Sequence, residues 1–407
     1  MTEIAARASN AHVLFAILAA AFNLRVGIVS VGPVIEDIRA DTAMSSGLAG
    51  ALTTIPFLCM GLFAFVGPPL VQRLGSARVM QGALALIAVG ALARSAASAG
   101  WLVIATTLPI GLGIALIGAG LPSVVKQRFP GRAGAVTGAY ASSLSVGVVI
   151  VGVGLIPLVD ALDGWRAALA FTAIPALVAI LPWLGLTKRR DAPITAASEQ
   201  ALAWSKPTST SVLLGLIFGL QSLSFAGMIS WAPAIYEDAG WSAHAAAQTT
   251  TSIGLFTILS SLIFPPLSDG RDRRLFVAVI ATVMGIGLFG VALLTTSGAW
   301  VWLTLFGIGT GAVFPLMLSL PLDLHDSPSE VAETTAWMLG LGYSTAALAP
   351  VMIGALRDAT GGFTIAISLL GAFAFGAGAL SLVSRAHDRR RRAADRAPRP
   401  DELLSAD

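Results

Sequence analysis

Charge is what this sequence has least of. Asp, Glu, Lys and Arg make up 12% of its 407 residues, about half the roughly 25% of an ordinary soluble domain. Reactive groups are scarcer still, with one Cys, three Tyr and four His. A lone Cys59 excludes an intrachain disulfide, and no metal-ligand spacing exists. No G-x-x-x-x-G-K-[ST] run is present, so direct use of ATP is excluded. Glycine is plentiful, but no strand pattern precedes the Gly-rich runs, which removes a dinucleotide-binding reading.

What fills the chain instead is apolar. Hydrophobic residues reach 56%, and the mean hydropathy is +0.81. Polar breaks divide the chain into twelve runs at 12–34, 45–67, 79–98, 101–121, 133–157, 165–186, 211–234, 245–267, 275–296, 299–321, 332–355 and 363–384. Each is long enough to cross about 30 Å of hydrocarbon as a helix. Helices are required because backbone groups in lipid must pair within their own segment. The first run is too long for a cleavable signal and carries Arg25 in its apolar centre, which a signal core does not. The partner is therefore a lipid bilayer. The net charge of +3 does not point to nucleic acid, because the basic residues sit between apolar runs and in the tail.

Basic residues also orient the chain. With the N terminus inside, twenty Lys and Arg lie on the inner side. Only Arg39, Arg166 and Arg357 lie outside, and Arg25 and Arg94 lie within spans. This bias predicts that both termini are cytoplasmic in a multi-pass inner-membrane protein. The expected organisation is a short N terminus (1–11), six spans (12–186), a polar linker (187–210), six more spans (211–384) and a basic tail (385–407).

The two sets of spans repeat. Gly27, Pro33 and Ile35 recur as Gly227, Pro233 and Ile235. Pro68-Pro69-Leu70 recurs as Pro265-Pro266-Leu267, and Gly111 and Gly113 recur as Gly307 and Gly309. Parallel repeats of this kind mark transporters whose halves rock about a site near the midplane. Over essentially its full length the chain resembles the major facilitator superfamily, an all-α fold of twelve spans in two pseudo-symmetric bundles. The loop after the second span carries GPPLVQRLGSARVM, with Arg73 and Arg78, and its repeat carries PPLSDGRDRR, with Asp269, Arg273 and Arg274. In that superfamily such loops make charge contacts that hold the inner side closed, and these five residues are expected to do so here. The first copy lacks the acid. Within the superfamily the chain looks most like the cyanate-permease branch, which includes 2-nitroimidazole transporters. The likeness rests on FNLRVGIVSVGPVI, LPSVVKQRFPGRAGAVTGAY, FGLQSLSFAGMISWAPAIYEDAGWS and GYSTAALAPVMIGALRD. Relatives of that branch are expected to carry Asn near 118 and Tyr near 225. Gly118, Phe225 and Ala226 stand here, which implies a pocket for a different or larger substrate.

Arg25 sets the functional expectation. It stands halfway along its span, where burying an arginine costs at least about 3 kcal/mol, and it stays protonated. No Asp or Glu stands at mid-span. The missing counter-charge is therefore read as the substrate, an anion that the guanidinium grips through two parallel bonds. Gln221, Ser222, Tyr140, Tyr343 and Trp337 lie within the symmetry-related seventh, fifth and eleventh spans and are candidate substrate contacts. Asn23 is a candidate for either the cavity or helix packing. The expected function is secondary transport of a small anionic or polar solute by alternating access, as a monomer, without cofactor or metal. An exporter of neutral heteroaromatic compounds on the same fold is the alternative. Intramembrane proteolysis is excluded, because buried Ser/His, paired Asp and His clusters are all missing.

Overall fold

The computed structural model describes residues 2–129, 133–186, 206–268, 271–325 and 327–383. Among them every regular element is helical. The chain runs α1 (Thr2–Val29), a 3-10 turn (Gly32–Val34), α2 (Ile35–Thr42), α3 (Ser46–Leu74), α4 (Ser76–Ser95), α5 (Gly100–Arg128), α6 (Ala133–Ala161), α7 (Trp165–Phe171) and α8 (Ala173–Leu186). The second half follows as α9 (Ser209–Asp238), α10 (Ala243–Ser268), α11 (Arg273–Leu293), α12 (Ala299–Leu324), α13 (Pro328–Ala346), α14 (Leu348–Thr360) and α15 (Thr364–Val383). Twelve segments are long and apolar enough to cross a membrane. Much of the linker expected at 187–210, the whole tail from 385 and Asp269 lie outside the described residues.

Proline explains where the spans break. Pro33 has no N–H for the carbonyl of Val29, and α1 stops there. Pro175 likewise cannot bond Phe171, and the sixth span divides at Thr172, whose hydroxyl turns back to Leu169 O at 2.6 Å. Pro350 cannot bond Ala346, and the eleventh span divides at Ala347. The loosened turn offers the Ala347 carbonyl to Thr54 of α3, whose hydroxyl donates to it at 2.6 Å.

Helices α1–α8 pack mainly on one another, as do α9–α15. The two sets meet where α3 lies along α13 and α14, where α6 crosses α10, and where α9 meets the 3-10 turn after α1. The outer surface is studded with exposed large apolar side chains, among them Leu62, Val89, Leu181, Val279 and Val301. A solvated protein would hide such a surface, whereas a lipid-facing one needs it.

Candidate substrate cavity

Along α3 and α14 the halves touch closely at the face bearing α2, called here the α2 face. A Cβ on Gly50 would stand 2.3 Å from Pro350 O, and one on Gly354 2.2 Å from Ser46 O. Only a residue without a side chain lets these backbones approach so far. Charge reinforces the contact. Arg357 of α14 donates to Glu36 at 2.5 Å and to Asp238 at 3.1 Å, and Arg39 also reaches Glu36 at 2.5 Å. The Asp358 carboxylate accepts the N–H groups of Ser46 and Gly47 at 3.1 and 2.8 Å, so an acid of one half caps a helix N terminus of the other.

Helices α6 and α10 behave differently along their length. Towards the α2 face they interlock, with Gly152 against Thr251 and Gly254 against Val148 and Val149. Towards the opposite face they part, and a cavity of about 500 Å³ opens between the halves. Arg25 and Phe225 lie deep within it. Gly138, Pro265, Leu318 and Ser319 line it towards the opposite face.

Five sequence candidates meet in this cavity: Arg25, Tyr140, Gln221, Ser222 and Tyr343. Arg25 lies over the Phe225 ring at 4.5 Å from its centroid, a cation–π contact. No carboxylate reaches it among the described residues, and no hydrogen bond holds it. The Tyr343 phenol lies within electrostatic reach of that charge. Its ring is propped by Phe57 at 6.4 Å and, edge-on, by Phe218 at 5.2 Å. Ser222 donates to Gln221 Oε1 at 3.3 Å, which leaves the Gln221 amide N–H groups directed elsewhere.

The other cavity hydroxyls are committed. Ser145, Ser261 and Ser319 bond carbonyls of their own helices, and Thr257 bonds Gly307 O. Thr310 turns to the sulfur of Met284. The donors left for a ligand are the Arg25 guanidinium, the Gln221 amide and the phenols of Tyr140 and Tyr343. No Asp or Glu lines the cavity among the described residues.

Two candidates sit elsewhere. Asn23 is buried, and its amide donates to Ala19 O at 2.8 Å and to Pro175 O at 3.2 Å. Two residues from Arg25 on a helix is more than half a turn, so it faces α8 and ties α1 to the break in the sixth span. Trp337 packs against Phe65 with ring centroids 4.9 Å apart, bridging α13 to α3 beside the cavity rather than within it. Arg94, the second arginine inside a span, is fully buried in α4. Its guanidinium nitrogens have no partner among the described residues, and it does not line the cavity.

The loop residues expected to gate also divide. Arg73 and Arg78 are exposed. Arg273 meets both oxygens of Asp323 at 2.6 Å and Ser268 at 3.3 Å, while Arg274 pairs with Asp272 at 2.8 Å. These contacts tie α10, α11 and α12 within the second half. Between the halves, Glu36 pairs with Arg357 on the α2 face, where Asp358 also accepts the backbone N–H groups of Ser46 and Gly47. Sequence reading placed Arg357 in an outer loop but could not pair it with Glu36, 321 positions away. Of the aromatic wall, Phe225 stood out only as a departure from the relatives, and Phe57 and Phe314 were missed, because an apolar ring in an apolar span carries no signal of its own.

Comparison with known proteins places this arrangement. Residues 13–350 match the Major Facilitator Superfamily. The chain is similar to an uncharacterized transporter, YycB, of Bacillus subtilis, with 32% identity over 86% of this chain and 87% of the relative. It is similar to the cyanate transport protein CynX of Escherichia coli, with 32% identity over 84% and 88%. It is also similar to the 2-nitroimidazole transporter of Escherichia coli, with 30% identity over 88% and 91%. Among solved structures, the D-xylose-proton symporter superposes with a TM-score of 0.69 at 15% identity, covering 91% of this chain and 96% of that one, a likeness of fold alone.

Proposed function

The chain belongs to the Major Facilitator Superfamily as a multi-pass membrane transporter, and on that premise we propose that it carries a small anionic solute bound by Arg25 at the centre of the cavity. The observation that carries this reading is the cavity's set of uncommitted groups. They are one permanent cation and three donors, with no acid beside them among the described residues. An unpaired guanidinium away from bulk water is unfavourable until an oxyanion arrives, and its fork suits a carboxylate or a similar group.

Alternating access fits the same geometry. At the α2 face the halves meet along α3–α14 and along α6–α10, whereas towards the other face α6 and α10 line a cavity while α3 stays against α13, an arrangement that fits a state reached from one side. The Lys and Arg bias makes the open side cytoplasmic, which puts both termini inside and the α2 face outside. Rocking would break the Glu36–Arg357 contacts and close α6 on α10. The cavity is enclosed by helices of one chain, which supports action as a monomer. The cyanate relative agrees with an anionic substrate. The nitroimidazole relative supports the second reading, a neutral heteroaromatic, and so does the apolar lining.

Uptake into liposomes containing the purified protein separates the two. Arg25→Gln should insert and fold, and its affinity for an anionic substrate should fall by about 2 kcal/mol, the scale of a charge-assisted bond. Arg25→Lys should recover only part, because lysine keeps the charge and loses the fork. Undiminished anion affinity in folded Arg25→Gln would overturn the reading.

A further inference from the structure

We infer that the substrate is an aromatic monoanion: a planar ring carrying one conjugated oxyanion group. This rests on the anion reading of Arg25 and goes beyond it in size, charge number and shape.

Charge number follows from the lining. Arg25 is the one cationic side chain facing the cavity among the described residues. A dianion would leave its second charge uncompensated between apolar walls, which burial penalises heavily. Size follows from volume. About 500 Å³ falls in the roughly 300–1,000 Å³ range of sites that enclose drug-sized organic molecules. An anion of a few atoms would leave most of that space to water, and water beside the charge weakens its attraction to Arg25.

Shape follows from the walls. Phe57, Tyr140, Phe225, Phe314 and Tyr343 come from five different helices and face one space. Aromatic surfaces prefer a ring in offset or edge-on contact over an aliphatic group of equal area, by about 0.5–1.5 kcal/mol. Phe225 also fixes where the two parts of a ligand must go. It covers one side of the guanidinium at 4.5 Å, so the cation and an aromatic surface lie within one short molecule's reach of each other. Gln221 stands one turn before Phe225 on the same face of α9 and presents its amide to a further heteroatom on the ring.

The test is equilibrium binding to the purified full-length protein in detergent, with benzoate, cyclohexanecarboxylate and benzamide as probes. Benzoate should bind about three- to tenfold tighter than cyclohexanecarboxylate, the same charge without the ring's π face. It should bind about tenfold or more tighter than benzamide, the same ring without the charge. Phe225→Leu, checked for an unchanged melting temperature, should bring the two carboxylates towards equal affinity. Equal affinity in the unmutated protein, or binding of cyclohexanecarboxylate without benzoate, would overturn the aromatic inference and leave the anion reading standing. Benzamide binding as tightly as benzoate, both before and after Arg25→Gln, would overturn the anion reading itself. The ligand series on the unmutated protein decides even where Phe225→Leu fails to fold.

Discussion

A single turn of α9 holds both the polar and the aromatic edge of the cavity, and the contrast between them is sharpest at Gln221. Its carbonyl is taken by Ser222, and its amide has no partner among the described residues. Gln221→Ala should therefore reorder substrates by several-fold while leaving transport in place, since one neutral hydrogen bond is worth about 1 kcal/mol. Competition assays across a substrate panel measure this. A uniform loss across the panel, with a lowered melting temperature, would instead make Gln221 a packing residue. At this scale the sequence was readable wherever a polar group stood at membrane depth, because lipid makes such a group conspicuous. That reasoning singled out Arg25, Gln221, Tyr140 and Tyr343, all of which line the cavity. It failed to say which way a side chain points, so Asn23 could not be assigned between Arg25's cavity and its own bond to Pro175.

At the scale of the helices, proline and glycine decide the contacts. The Pro350 break lets α14 swing onto α3, and Gly50 lets the backbones meet. Gly50→Ala puts a methyl group 2.3 Å from the Pro350 carbonyl, and the helices must separate. The cost should be about 1–3 kcal/mol against the state closed at the α2 face. Labelling of a cysteine placed at Ser46 should speed up in Gly50→Ala if that face opens, and unchanged labelling would mean that α3 and α14 adjust without parting. The spans themselves were legible from hydropathy alone. The breaks within the first, sixth and eleventh spans were not, because a proline inside an apolar run is compatible with either a continuous or a divided helix until its neighbours are known.

For the whole molecule the question is what holds one end shut. Arg357 is the hub, joining Glu36 of the first half to Asp238 of the second, and these groups are partly exposed. Each such pair is worth at most about 1 kcal/mol, but that is enough to shift a balanced two-state equilibrium about fivefold. Arg357→Ala should raise the population open at the α2 face by that order, and salt should have a weaker effect on the variant than on the unmutated protein. Distance measurements between spin labels on α2 and α14 would show it, and an unchanged distance distribution would remove Arg357 from this role. The bias of Lys and Arg gives an expectation of which face is inner, but the pairing across the halves is a long-range fact that local sequence does not contain.

The contact between Arg25 and Phe225 joins positions 200 residues apart, the same offset that relates Gly27 to Gly227. The two residues therefore occupy matching places in the repeat and meet near its axis. On the proposed reading, a fold with two like halves carries one unlike pair, Arg25 to grip the substrate and Phe225 to sort it. Whichever way the halves lean, the charge travels with α1 and the ring with α9. Changes in the first half should then decide whether anything is held, and changes in the second should decide what it is.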